Sequence, residues 1–230
     1  AIGAWAGYGA TGDYNILIGS EVAYNATSIN RCVVIGRQAA NAAAFSGNEN
    51  VLIGYKSGYA ATSGKWNTAV GTDTLGAMTT ASGNVAVGYQ AGVALTTGTN
   101  NVFVGKYAGK STTVAQYNTA LGNSALNDNI DGAHSVAIGY QALYEQTDTN
   151  KNVAIGKWAG ARLDSDSNVL IGYQAGSQEP AAGTANTAGN NTIIGYQAAT
   201  GTTTGGNNVF LGYSAAISIT TGEYNVGIGY

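Results

Sequence analysis

Six of the twelve carboxylates of this 230-residue chain fall within one short stretch: Asp128, Asp131, Glu145, Asp148, Asp164 and Asp166. Carboxylate oxygens brought together can hold a hard cation such as Ca2+, and a pair of carboxylates can cleave a glycosidic bond. The spacing matters here. Asp131 and Asp148 are 17 residues apart, as are Asp128 and Glu145, and Glu145 and Arg162. A second set couples aromatic rings to amides: Tyr89 with Gln90, Tyr140 with Gln141, Tyr173 with Gln174. A flat amphipathic ring beside an amide suits the faces and hydroxyls of a sugar. A third set is hydroxylic, with Thr62, Thr79, Thr96 and Thr113 at intervals of 17. Regular hydroxyl arrays are one way to bind ice. Against these stand a single His134 and a single Cys32. Nothing around His134 resembles a nucleophile elbow, and no glycine-rich loop sits between a strand and a helix to cradle phosphate. The chain therefore reads as a non-enzyme.

The spacing of 17 belongs to the whole chain. An aliphatic residue followed by Gly recurs at Gly3, Gly19, Gly36, Gly54, Gly71, Gly88, Gly105, Gly122, Gly139, Gly156, Gly172, Gly195, Gly212 and Gly229, and nine of the thirteen intervals are 17. Positions are counted below from this Gly. Position −1 is Ile, Val or Leu, and −3 is Val, Ile or Thr in every complete copy. That alternation predicts a strand. Position −4 is Asn in eleven of thirteen copies, including Asn50, Asn67, Asn84, Asn101, Asn118, Asn152 and Asn168; Cys32 and Ser135 are the exceptions. Seventeen residues are too few for a helical repeat, which needs about 33. A strand, a Gly corner, a second short segment and a Thr-rich turn fill them. The expectation is an all-β parallel β-solenoid of about 14 coils, with residues 1–230 forming one repeat domain. In such a stack the Asn side chains form a ladder that satisfies a buried corner.

Composition narrows the function further. Only 9% of residues are charged, and the net charge is −3, so no basic surface argues for nucleic acid. No apolar run approaches the about 20 residues of a membrane-spanning helix, so no membrane insertion is expected in this segment. Position −2, which alternation would turn away from the coil interior, holds no polar residue in thirteen copies, from Leu17 through Phe103 to Phe210. An uncovered apolar stripe of this kind marks a protein interface, and predicts a homo-oligomer.

Units such as Asn84–Gly92 and Asn168–Gly176, reading Asn-Val-Ala-Val-Gly-Tyr-Gln-Ala-Gly and Asn-Val-Leu-Ile-Gly-Tyr-Gln-Ala-Gly, resemble the head repeats of trimeric autotransporter adhesins and related repeats of bacteriophage tail fibres. The resemblance covers the whole chain. It implies a left-handed β-roll, a homotrimer, and a rigid fibre segment outside the cell, on a cell surface or virion, that attaches to a receptor or glycan. One departure is the length: the adhesin repeat has about 14 residues and this one 17, the excess lying in the Thr-rich turn. The chain opens and closes inside a repeat, as a slice of a longer fibre protein would.

Each candidate set also has a plainer reading. The acidic cluster, with Asp131 and Asp148 as candidate Ca2+ ligands, reads more simply as a solvated surface; otherwise no cofactor is expected. Tyr89, Gln90, Tyr140, Gln141, Tyr173 and Gln174 are candidate glycan contacts, or packing between coils. Threonines favour turns without any ice. The interval of 23 residues between Gly172 and Gly195, which carries the sole proline, Pro180, inserts a loop and with it a candidate binding face. A polysaccharide-degrading enzyme and an ice-binding solenoid are the alternatives to the fibre.

Overall fold

The computed structural model describes residues 1–42, 44–177, 186–201, 204–217 and 219–230; Pro180, most of the long insertion and Thr203 lie outside them. Thirteen three-residue strands follow one another with no helix among the described residues. The chain divides into two units, Ala1–Tyr117 and Asn118–Tyr230. The first holds β1 (Ile16–Ile18), β2 (Val33–Ile35), β3 (Val51–Ile53), β4 (Thr68–Val70), β5 (Val85–Val87) and β6 (Val102–Val104). The second holds β7 (Thr119–Leu121), β8 (Val136–Ile138), β9 (Val153–Ile155), β10 (Val169–Ile171), β11 (Thr192–Ile194), β12 (Val209–Leu211) and β13 (Val226–Ile228). Within each unit every strand pairs in parallel with the next, and the register joins equivalent positions: Val85 to Val102, Val136 to Val153. The fold is a parallel β-solenoid. Its thirteen strands delimit about twelve turns, fewer than the fourteen glycine copies, because the first copy, at Gly3, has no strand and thirteen strands leave twelve intervals.

Two polar devices set the stacking. The corner glycines have φ near +135° and lie against one another, so that a Cβ on Gly88 would stand 2.7 Å from the carbonyl of Gly105. Only Gly reaches that conformation and that approach without strain. Beside the corner runs the asparagine ladder. In the first unit the backbone N–H of Asn67 donates to Asn50 Oδ1 at 2.9 Å, Asn84 to Asn67 at 3.0 Å, and Asn101 to Asn84 at 2.9 Å. Each amide also donates to a backbone carbonyl fourteen residues on, as Asn84 Nδ2 does to Gly98 at 3.0 Å. In the second unit Asn118 Oδ1 accepts from Ser135, and the Ser135 hydroxyl accepts in turn from Asn152 before Asn168, Asn191, Asn208 and Asn225 continue the series. At Cys32 the thiol donates to Gly47 O at 3.3 Å, but its sulfur is only a weak acceptor for the Asn50 N–H. Burial pushes this thiol up, so it stays protonated.

The face assignment read from the alternation is inverted. Position −2 points inward: Val34, Leu52, Ala69, Ala86, Phe103, Ala120 and Ala137 are fully buried. Positions −3 and −1 point out and are half-buried or exposed, as Ile16, Val85, Val87, Val104 and Ile194 are. The reason is volume. Across the narrow interior, −2 faces position +4, and the two compensate. Leu75, Leu126 and Leu143 at +4 go with Ala69, Ala120 and Ala137 at −2; Gly58, Gly109 and Gly176 go with Leu52, Phe103 and Leu170. A Cβ on Gly109 would lie 2.5 Å from the Phe103 ring, and one on Gly160 would meet Leu170 and Leu143 at 2.7 and 2.8 Å. A position that swings from Ala to Phe to fit its partner is an interior one. The uniform β-branched residues at −3 and −1 instead suit the flat outer surface of the sheet.

Three outcomes follow, all read by denaturant unfolding. Asn84→Ala takes the partner from the Asn101 N–H and the Gly98 carbonyl and lowers stability by about 2–3 kcal/mol, whereas Cys32→Asn restores a strong acceptor and raises it by about 0.5–1.5 kcal/mol. Phe103→Ala empties a site that Gly109 and Gly92 leave room for, at a cost of about 3–5 kcal/mol.

Candidate functional site

The functional side chains lie on the segment after the corner, where positions +1, +2, +5 and +6 reach the surface. Position +2 is in the left-handed region in every coil, with φ of 55° at Gln141, 61° at Trp158 and 55° at Gln174, and +3 is a small buried residue such as Ala142, Ala159 or Ala175. The buried residue anchors the segment while the turn at +2 throws its side chain outward. Backbone bonds between coils hold it there, as from Trp158 N–H to Tyr140 O at 3.0 Å and from Gln174 N–H to Lys157 O at 3.0 Å.

In the second unit this surface carries a file of aromatic rings. Tyr140 and Trp158 meet edge to face at 6.3 Å, and Trp158 and Tyr173 are tilted at 5.8 Å. Tyr173, Tyr196, Tyr213 and Tyr230 then stack in parallel at 5.0 to 5.2 Å. That spacing follows the coil repeat. Lys157 Nζ sits 4.0 Å from the Trp158 ring, a cation–π contact. The amides form their own chain: Trp158 Nε1 donates to Gln141 Oε1 at 2.6 Å, and Gln197 Nε2 to Gln174 Oε1 at 2.8 Å.

Beside the aromatic file lies a cavity of about 300 Å3, lined by Gln141, Trp158 and Gln174 at +2, Tyr144, Ala161 and Ser177 at +5, and Glu145 and Arg162 at +6. It opens because Ala161 and Ser177 are small where Tyr144 is large. Arg162 Nε holds Glu145 Oε2 at 3.0 Å, so the wall carries balanced charge. Burial, with Asp128 and Glu145 nearby, pushes the Tyr144 phenol up, so it remains a hydroxyl with both a donor and acceptors. In the first unit the same columns open a second cavity of about 300 Å3 between Trp5, Glu21, Tyr24 and Asn41, and the Asn41 Oδ1 is buried with no hydrogen-bond partner among the described residues.

Among the residues proposed from sequence, the structure brings Gln141 and Gln174 into one cavity and sets Tyr140 and Tyr173 on either side of Trp158. Tyr89 packs edge to face against Tyr107, with Gln90 next to it in the +2 column. Trp158, Tyr144 and Arg162 line this cavity without being candidates from the sequence, and Glu145 is a candidate there only as part of the acidic stretch. Their signal was the column arithmetic itself, since +2 and +5 of three consecutive coils make one surface. Asp131 and Asp148 are both exposed at +9, and among the described residues no group of three His, Cys, Asp or Glu side chains gathers to hold a metal ion. Half of the acidic stretch has other engagements: Glu145 is paired with Arg162, Asp166 Oδ1 accepts from Asn150 N–H at 2.7 Å, and Asp128 Oδ1 accepts from Asn127 Nδ2. The threonines also have partners. Thr62, Thr79 and Thr96 donate their hydroxyls to carbonyls of the next coil at 3.0, 3.0 and 3.1 Å. No helix among the described residues is long and apolar enough to cross a membrane.

Comparison of the chain with protein-family models, with curated proteins and with solved structures finds no match.

The raised Tyr144 gives a sign. Its neutral form favours the fold below the ordinary phenol range, and that contribution is lost as pH rises through the elevated native value. Tyr144→Phe is expected to delay alkaline unfolding, and in difference absorbance to remove a phenol that titrates above the ordinary range.

Proposed function

We propose that this chain is a non-enzymatic fibre segment, displayed outside the cell on a cell surface or virion, in which three copies pack side by side and attach to a surface by repeated weak contacts. One observation carries the reading: the outward face of the parallel sheet is mostly apolar, with Thr68, Thr119 and Thr192 its polar members. In the first unit it runs through Ile16, Ile18, Val85, Val87 and Val104, and in the second through Val136, Ile138, Val153 and Ile155 to Ile194. These side chains share one register, so the face is flat and self-similar from coil to coil. Monomeric proteins rarely leave a contiguous face of this kind in water. A second copy presents the same spacing of coils, so two such faces match over their whole length, as in the adhesin heads that the repeat resembles. A trimer then multiplies every outward-facing feature threefold, and the contacts add through effective concentration.

The same geometry bears on the alternatives. The Thr hydroxyls donate to neighbouring carbonyls, which favours a turn role over ice binding. Five of the six carboxylates of the acidic stretch stand at exposed positions, Asp128 being half-buried, and Glu145 is in an ion pair, which favours a surface role over glycosidic chemistry.

Light scattering of the purified chain is expected to give the mass of three copies. The double variant Val87→Lys, Val104→Lys should give one copy with the β-sheet circular dichroism unchanged. A wild-type mass of one copy would sink the reading.

A further inference from the structure

We propose that the cavity between Tyr144, Trp158 and Arg162 binds one neutral pyranose of a glycan, which names the ligand class for the attachment function above and rests on that reading. The cavity lies at the small end of ligand sites, large enough for a single ring. Its wall combines the two surfaces a pyranose presents. The apolar C–H face of a sugar fits an aromatic ring, and Trp158 and Tyr144 both line the space. The indole is pre-set: Gln141 Oε1 fixes its N–H at 2.6 Å, and Tyr140 and Tyr173 pack on either side. Little side-chain freedom is then lost on binding.

The hydroxyls of the ring meet a matching set of polar groups. Gln141 and Gln174 have their Oε1 atoms engaged by Trp158 and Gln197, which leaves their Nε2 groups as donors into a common space. Tyr144 and Ser177 contribute hydroxyls, and Glu145 contributes carboxylate acceptors. Neutrality of the ligand follows from the ion pair. Glu145 and Arg162, the two charged side chains that line the cavity, offset one another at 3.0 Å, so its wall has no net charge with which to select an acidic sugar. An acidic sugar would have to break that pair to reach the guanidinium.

The test titrates the full chain with methyl α-D-glucopyranoside, methyl α-D-mannopyranoside, methyl β-D-galactopyranoside and N-acetylglucosamine, and with N-acetylneuraminic acid as the acidic comparison. Saturation-transfer NMR and tryptophan fluorescence report binding. At least one neutral sugar is expected to bind saturably. Trp158→Ala should weaken it about tenfold or more, and Trp158→Phe by less, because the phenyl ring keeps a stacking face. Trp66→Phe, at an exposed tryptophan outside the cavity, should leave the affinity unchanged. Circular dichroism confirms that each variant is folded. Binding of none of the neutral sugars, binding of the acidic one alone, or equal affinity in Trp158→Ala overturns the site. Light scattering on the same samples separates the two readings: a trimer that binds no sugar removes the site and keeps the fibre, and a monomer that binds keeps the site and removes the fibre.

Discussion

Everything in this fold depends on how closely one coil can approach the next at the glycine corner. The corner backbone adopts φ near +135° and lies so near its neighbour that a Cβ has no room. Because the corners nest, the short strands beside them fall into register without any turn to set it. Three residues per strand would be too few to hold a sheet alone. Here each strand gains its register from the corner on one side and the Asn amide on the other. The Asn serves both as acceptor for the next coil's N–H and as donor to a carbonyl across the turn. The repeat tolerates Cys32 and Ser135 in that column because each still supplies one of the two functions, Cys32 the donor and Ser135 the acceptor.

The corner also explains why so much of the architecture was legible before any coordinates. Gly and Asn in fixed register have no other economical explanation in a chain with this little charge. Side-chain direction was less legible. Alternation alone gives two faces and does not say which is inside, and the rule that β-branched residues are buried chose the wrong one. Compensation decides it: Phe103 opposite Gly109, and Ala137 opposite Leu143, are pairs that only an interior produces. That pairing was present in the sequence, but only as a relation between two columns. The cavity was hidden for a related reason. Gln141 and Gln174 were visible as members of a frequent motif, whereas Trp158 looks like a departure from it, and Tyr144 and Arg162 belong to columns with no consensus.

The inversion of faces strengthens the case for association. With −2 inside, the exposed stripe is made of Val, Ile and Leu, with Thr68, Thr119 and Thr192 among them, at two positions per coil, where a −2 stripe would have had many alanines. Twice the positions and larger side chains leave more apolar surface uncovered in each copy. Burying it at about 25 cal/mol per Å2 provides a driving force that a mostly alanine stripe could not match.

A division of labour within the coil follows. Positions −4, −2, 0 and +3 are committed to the stack: amide, interior side chain, corner and small anchor. Positions −3 and −1 form the flat apolar face. Positions +1, +2, +5 and +6 vary from coil to coil, and it is there that Trp158, Tyr144, Glu145 and Arg162 depart from the pattern. A solenoid can change these residues one coil at a time, because the backbone that presents them is fixed by groups on the other side of the coil. The left-handed turn at +2 makes this independence physical. It is held by hydrogen bonds from the backbone alone, so Gln141, Trp158 and Gln174 take the same turn with unlike side chains. The residues at +2 and +5 of three successive coils are therefore free to specify a ligand while their backbone continues to specify a fold.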